Sequence, residues 1–261
     1  MSYGDWLQAA VHAAIVAGEK IMEVYASEFL VELKSDESPL TRADRSAHHV
    51  ILEILAATGL PVLSEESDPG SYAKRATWER FWMVDPLDGT KEFIKRNGEF
   101  TVNIALIEDG RPKMGVIFVP TTHELYFSDG ISAFFHNQVM DVPELNELKM
   151  SSKRLPYLET EPYTVVGSRS HKSPETEAFI RKMQSERGEI ALLSKGSSLK
   201  LCMVAEGSAH VYPRFAPTME WDTAAGQAIC EAAGFSVVEA ETGKPLQYNK
   251  PNLLNPWFIV K

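Results

Sequence analysis

Cysteine is almost absent from this chain: Cys202 and Cys230 are the only two in 261 residues. Two thiols make no disulfide framework, so the fold must stand on its own core, and a reduced compartment is the expectation. Both lie in apolar helical patterns, which predicts buried, inert thiols. Long hydrophobic runs are also missing. The longest apolar stretch near the start, Ala9 to Gly18, is interrupted by His12 and is too short to span a bilayer. The first residues lack a cationic start and a cleavage site. Excess positive charge is absent too, since the formal net charge is −10. That argues against a nucleic-acid polymer as the natural partner, because a phosphate backbone needs Lys and Arg. A small phosphorylated ligand stays open, since divalent cations can supply local positive charge. No internal repeat or low-complexity tract occurs.

What remains is ordinary globular material, 44 % hydrophobic and 24 % charged, enough for a real core. Leu7, Ala10, Ala14, Ala17, Ile21 and Val24 recur at helical spacing and predict a long amphipathic helix. Glu32 to Pro39 reads as a loop. Thr41-Arg42-Ala43-Asp44 then has the form of a helix start, followed by a helix through Ala47, Val50, Ile51, Ile54 and Leu55 that ends near Gly59. Leu60 to Leu63 is a short strand running into Ser64-Glu65-Glu66. Side chains alternate along a strand, so only one of Glu65 and Glu66 can face a site beneath its end. Phe100 to Ile107, Met114 to Val119, Glu124 to Phe127 and Ser132 to His136 predict an antiparallel meander with helices on one side. The stretch from Asp141 to Pro162 is polar and proline-dotted, and we place a boundary there, dividing residues 1–150 from 151–261. The second half alternates strand and helix as in α/β units: strands at 163–166, 190–193, 209–212 and 235–238, helices at 174–187, 198–205 and 222–233, and a last strand at 257–260. The expected class is α/β, with an α+β first half.

Chemistry concentrates in Phe81-Trp82-Met83-Val84-Asp85-Pro86-Leu87-Asp88-Gly89-Thr90. Four apolar residues form a buried strand that runs into two aspartates held by a proline. Ionised Asp offers only acceptor oxygens, which suit hard cations such as Mg²⁺. If Asp88 caps the next segment, the amides of Gly89 and Thr90 can meet an anion. An ordinary strand and Asp-capped turn has the same short pattern. A second acid, Asp222, sits in Trp221-Asp222-Thr223-Ala224-Ala225-Gly226 before an Ala-rich helix, where an N-cap is the simplest role.

Taken together these stretches resemble the inositol monophosphatase superfamily of Mg²⁺-dependent, lithium-sensitive phosphatases. Asp85-Pro86-Leu87-Asp88-Gly89-Thr90 is similar to its central signature, Trp221 to Gly226 to its second, Leu63 to Ser67 to its acidic pair, and Thr41 to Asp44 to its T-x-x-D element. Lys91-Glu92-Phe93 resembles the 3'(2'),5'-bisphosphate nucleotidase branch, as do Gly196-Ser197-Ser198-Leu199-Lys200, Tyr212-Pro213-Arg214-Phe215 and Val166 to His171.

The resemblance implies a layered αβαβα sandwich with the site between two domains. It implies two or three Mg²⁺ ions held by Glu65, Asp85, the Leu87 carbonyl, Asp88 and Asp222; it selects Glu65 over Glu66. Asp44 and Thr90 would position and deprotonate the attacking water, with Glu65 also at the reacting centre. The substrate would touch Glu65, Leu87, Asp88, Gly89, Thr90, Asp222, Ser197, Lys200, Arg214 and His171. Lys200 and Arg214 would neutralise a second, uncleaved phosphate. For Lys200 the plain alternative is a solvated helix face, for Arg214 a surface ion pair. The implied reaction is hydrolysis of the 3'-phosphate of adenosine 3',5'-bisphosphate to AMP, with 3'-phosphoadenylyl sulfate as a related substrate, in the service of sulfate assimilation. An inositol monophosphatase and an idle nucleotide sensor are the rival readings. The implied location is cytoplasmic, with peripheral association at the inner membrane left open; a monomer is favoured.

Overall fold

The computed structural model describes residues 1–26, 31–33, 39–168 and 173–261. The chain opens with α1 (Tyr3–Tyr25), capped by a reciprocal pair: the Asp5 amide donates to Ser2 Oγ, and the Ser2 amide to the Asp5 carboxylate. The short strands β1 (Val31–Leu33) and β2 (Pro39–Thr41) follow. They pair antiparallel, so the stretch expected as loop is in part a ladder. Next come α2 (Arg42–Ala56), β3 (Val62–Ser64) and α3 (Tyr72–Arg75). Then β4 (Arg80–Asp88), α4 (Thr90–Ile94) and β5 (Thr101–Glu108) carry the central signature and its neighbours. The first half finishes with β6 (Arg111–Val119), β7 (Glu124–Ser128), β8 (Ala133–His136), α5 (Leu145–Ser151) and β9 (Lys153–Arg154).

Among the described residues the largest sheet runs β3-β4-β5-β6-β7-β8-β9. Its strands pair antiparallel except β3 with β4. Alternation along the strands gives it two apolar faces. Trp82, Val84, Ile104, Leu106, Val116 and Phe118 pack against α1 and α2 on one side. Phe81, Met83, Ala105, Ile107 and Ile117 pack on the other.

The second half contains β10 (Tyr163–Ser168), α6 (Pro174–Arg187), β11 (Ile190–Lys195), α7 (Leu199–Glu206), β12 (Tyr212–Arg214), α8 (Ala224–Ala232), β13 (Val237–Glu239) and β14 (Phe258–Val260). β10 and β11 are parallel across α6, as the alternation predicts. The last three strands are not parallel units. β14 lies between β12 and β13 and pairs antiparallel with both. The reason is where α8 goes: it packs on β5 and β6 of the large sheet instead of crossing over its own. Gly115 in β6 permits this, because a Cβ there would stand 2.3 Å from the Ala225 carbonyl oxygen. One core cluster therefore holds Phe81 and Ile117 together with Leu201, Ile229 and Val260. Cys202 and Cys230 belong to it, as buried thiols whose pKa values burial pushes up. The resulting order of layers is helix, sheet, helix, sheet, with α6 outermost. No helix among the described residues is long and apolar enough to cross a membrane.

Candidate active site

The site forms where the regular register of the large sheet fails. β4 pairs with β5 as far as Asp85 opposite Asn103; the next pair is Asp88 opposite Thr101. Pro86 has no amide for a ladder bond, so the strand bulges there. Asp85 Oδ1 accepts the Leu87 amide at 3.0 Å, which tightens the turn. Gly89 follows at φ 95°, a conformation that favours glycine. A Cβ on it would also lie 3.0 Å from the Glu99 carbonyl oxygen and 3.3 Å from Ser197 Cβ. Gly89, not Asp88, occupies the position before α4, and no side chain caps that turn. The Thr90 hydroxyl donates to the Leu87 carbonyl at 3.3 Å.

Three acids from distant stretches meet at this bulge. Glu65, Asp85 and Asp222 each place a carboxylate oxygen so that all lie within 4.8 Å of one another. Glu65 stands just past β3, where its amide donates to the Val84 carbonyl and continues the parallel pairing. Asp85 is 1 % exposed. Burial pushes its carboxyl well above the ordinary range, and the charges of Glu65, Asp88, Asp222 and Asp44 push the same way. Asp222 is driven up by burial and then by Asp88 and Glu65. It is not a helix cap. Thr223 precedes α8, and Asp222 Oδ2 turns back to accept the Met219 amide at 2.8 Å. Asp44 is buried in the first turn of α2, close enough to act on Asp85.

Asp88 faces a different set. It accepts from Asn103 Nδ2 at 3.4 Å and lies near enough to the Ser198 amide for that N–H to favour its charge. Ser198 Oγ donates to Asn103 Oδ1 at 2.8 Å and meets Thr101 Oγ1 at 2.8 Å. Burial raises the Asp88 carboxyl, while Lys200, the Ser198 amide and Asn103 hold it back. This network joins β5 to the loop before α7. Sequence reasoning missed Asn103, although one signal was available: it is the lone amide in the apolar run Phe100 to Ile107.

Lys200 is not a solvated helix residue. It is 6 % exposed, and burial pushes its ammonium down to about 8 against the pull of Asp88. Its Nζ donates to the carbonyls of Ser197 and Lys195 and lies 5.5 Å from the centre of the Tyr212 ring. Arg214 is held by Thr218 Oγ1 at 2.7 Å and the Pro217 carbonyl at 2.9 Å. Ser197 has φ 43° and a buried hydroxyl with no hydrogen-bond partner. Asp88, Gly89, Ser197, Lys200, Arg214 and Asp222 all line one cleft of about 350 Å³, which Lys91, Glu92, Lys95 and Tyr212 extend. Phe93 of the Lys-Glu-Phe stretch is instead core, packed on Tyr25 and Phe100. Gly167 lines a separate apolar groove with Leu192, Leu193 and Pro213. His171 lies outside the described residues.

The donor set is chemically suited to hard cations. Carboxylates this close repel one another unless protonated or neutralised by a cation. The cleft beside them brings Lys91, Lys95, Lys200 and Arg214 close to Asp88, Glu92 and Asp222.

Comparison with known proteins bears on the same residues. The family model described as inositol monophosphatase family matches residues 3–256. A curated Salmonella typhimurium protein, 3'(2'),5'-bisphosphate nucleotidase CysQ, is 46 % identical over 259 residues, 97 % of this chain and 98 % of that one. The Escherichia coli K12 protein of the same name is 45 % identical over 94 % of each chain. The crystal structure of CysQ from Bacteroides thetaiotaomicron superposes with a TM-score of 0.91 at 50 % identity, covering 98 % of this chain and 97 % of that one.

Proposed function

This chain belongs to the inositol monophosphatase family, and we propose that it is a Mg²⁺-dependent 3'(2'),5'-bisphosphate nucleotidase. In this reading it removes the 3'-phosphate of adenosine 3',5'-bisphosphate, leaving AMP, and also acts on 3'-phosphoadenylyl sulfate, which links it to sulfate assimilation. The observation that carries the reading is an acid cluster joined to a cleft with basic residues in its wall. Glu65, Asp85 and Asp222 crowd together, and Asp222 also lines, with Asp88, the cleft that Lys200 and Arg214 line. A substrate with one phosphate for the acids and another for the cations matches that polarity.

The residues divide the work as follows. Glu65, Asp85, the Leu87 carbonyl, Asp88 and Asp222 would hold two or three Mg²⁺ ions. Bound there, the ions would supply a more acidic water and positive charge beside the leaving oxygen. Asp44 and Thr90 position the attacking water and take its proton. The Leu87 carbonyl already accepts the Thr90 hydroxyl, which fixes the rotamer of a group whose role is orientation. The amides of Gly89 and Thr90 meet the scissile phosphate. Ser197 supplies a buried hydroxyl that lacks a partner in the protein, the property expected of a group that awaits a ligand. Lys200 and Arg214 meet the uncleaved phosphate, and His171 is assigned to the same pocket by resemblance alone. The division into residues 1–150 and 151–261 is part of this proposal: the first half supplies Glu65, Asp85 and Asp88, the second Ser197, Lys200, Arg214 and Asp222.

An inositol monophosphatase would use the same acids but gain nothing from the Lys200 and Arg214 wall. Phosphate release should be measured with adenosine 3',5'-bisphosphate, 3'-phosphoadenylyl sulfate, inositol 1-phosphate and fructose 1,6-bisphosphate, each with Mg²⁺ and with chelator. Turnover of the two nucleotides with Mg²⁺ alone is expected. Preference for inositol 1-phosphate would overturn the substrate, and turnover in chelator would overturn the metal. Tight nucleotide binding without any release would indicate a sensor.

A further inference from the structure

Beside Asp222 lies a carboxylate that the reaction does not use. Glu220 has no solvent exposure, and a buried charge is retained only where it is paired and hydrogen-bonded. Its partners come from one distant segment. Glu220 Oε2 accepts the Asn249 amide at 2.5 Å, and Oε1 accepts the Lys250 amide at 3.1 Å and Lys250 Nζ at 2.6 Å. The same segment grips the Asp222 loop at further points. Asn255 Nδ2 donates to the Met219 carbonyl and to Thr223 Oγ1, both at 2.9 Å. The Glu220 amide donates to the Leu253 carbonyl and the Asn255 amide to the Thr218 carbonyl. Met219 is thus fixed on its carbonyl side, and its amide is the group that holds Asp222 Oδ2.

The segment is tied in turn to the first half of the chain. Arg75, at the end of α3, is 3 % exposed. Its Nη1 donates to Asn249 Oδ1 at 2.7 Å, and Asn249 Nδ2 returns a bond to the Arg75 carbonyl at 2.8 Å. Asn249 sits at φ 63°, so the segment turns sharply where both contacts meet. Arg75 belongs to the excursion between β3 and β4 that begins at Glu65. The acids that converge are therefore joined behind the site as well as within it.

We propose that Glu220 is a positioning residue: with Asn249, Lys250 and Arg75 it forms a buried clamp that holds the Asp222 carboxylate at the separation a divalent cation needs. The proposal rests on the reading of Glu65, Asp85 and Asp222 as a cation site. Residues behind a ligand set its orientation, and their loss weakens metal binding by about 10–100-fold.

The test is Mn²⁺ binding to the full chain by calorimetry, without substrate, for wild type, Glu220→Gln and Asn249→Gly. Gln keeps the shape of Glu220 but puts an amide donor among donors. Gly removes the two side-chain bonds between Asn249 and Arg75, leaving Arg75 only its longer bonds to the Lys250 carbonyl, and suits the positive φ. Glu206→Gln serves as control, since Glu206 is also a partly buried carboxylate, hydrogen-bonded to Ser208 and Tyr126 away from the acids. The expected result is Mn²⁺ affinity reduced about tenfold or more in both clamp variants. The concentration of Mg²⁺ for half-maximal turnover should rise with it, while kcat at saturating Mg²⁺ stays near that of wild type. Unchanged affinity in folded clamp variants overturns the clamp and leaves the cation site standing. An equal loss in Glu206→Gln overturns it too, because the effect is then general destabilisation. Should Glu220→Gln fail to fold, Asn249→Gly decides the question alone. Wild type that binds no Mn²⁺ removes the cation site itself, and the clamp with it.

Discussion

Asp85→Asn should make the metal-free protein more stable while abolishing turnover. Asp85 has Glu65 and Asp222 oxygens within 4.8 Å. Two full charges at that distance, in an effective dielectric near 20, repel by about 3.5 kcal/mol. Full ionisation of the three acids is therefore too costly to persist without a cation. The protein avoids it by holding protons, which is the meaning of the raised Asp85 and Asp222 carboxyls. Keeping a carboxyl protonated costs about 1.4 kcal/mol for each unit by which the pH exceeds its pKa. Asn carries no such cost, and its Oδ1 can still accept the Leu87 amide. A gain in chelator at pH 7.5 follows, bounded by the repulsion of about 3.5 kcal/mol that the substitution relieves, and read as roughly 2–4 °C of Tm per kcal/mol in a chain of this size. The sign with pH is fixed. A carboxyl with a raised folded pKa binds protons that the unfolded chain has released, so folded wild type loses stability as pH rises above the ordinary carboxylate range. The gap between variant and wild type should widen from pH 5 to pH 8. Mg²⁺ should reverse the order, since a ligand at a hundred times its Kd stabilises by about 2.7 kcal/mol. Thermal scans with chelator and with Mg²⁺, at several pH values, test all of this. A variant less stable than wild type in chelator, or a gap that narrows as pH rises, would refute the reasoning and make Asp85 a structural residue.

Two further perturbations follow from the same geometry. Lys200→Met keeps the packing beside Tyr212 but removes a charge-assisted contact to the uncleaved phosphate, about 1.5–3 kcal/mol; kcat/KM on adenosine 3',5'-bisphosphate should fall about ten- to hundredfold, while 3'-AMP, a poor substrate of wild type, hardly changes. Equal losses on both would move Lys200 to the scissile phosphate or into the fold. Gly115→Ala should destabilise by about 1–3 kcal/mol through overpacking, because its Cβ would meet the Ala225 carbonyl; a Tm equal to wild type in thermal scans would mean that α8 docks on the sheet less closely than described.

The local signals were sufficient for most of the fold. Apolar spacing of three and four marks α1 and α2, and apolar runs broken by turn signals mark β5 to β8, because both are properties of neighbouring residues. The DPLDGT stretch announces a strand that breaks into a turn, since Pro86 cannot donate to a ladder and Gly89 permits the positive φ. The family was legible in the same residues. What tertiary structure decided is everything that depends on a partner far along the chain. Alternating strands and helices at the end of the chain predicted parallel units, yet α8 docks on β6 and leaves β12, β14 and β13 to pair antiparallel. No local rule encodes that choice, because it is made by a glycine more than a hundred residues upstream. For Lys200 local sequence could not separate a solvated helix face from the pocket role that the resemblance implied, and burial beside Ser197, Lys195 and Tyr212 makes it a cleft residue. Nothing in the sequence sets Glu220 apart; the 249–255 segment that closes on it does. Carboxylates show their type in a sequence, but their protonation and orientation come from what surrounds them, and those surroundings exist only once the chain has folded.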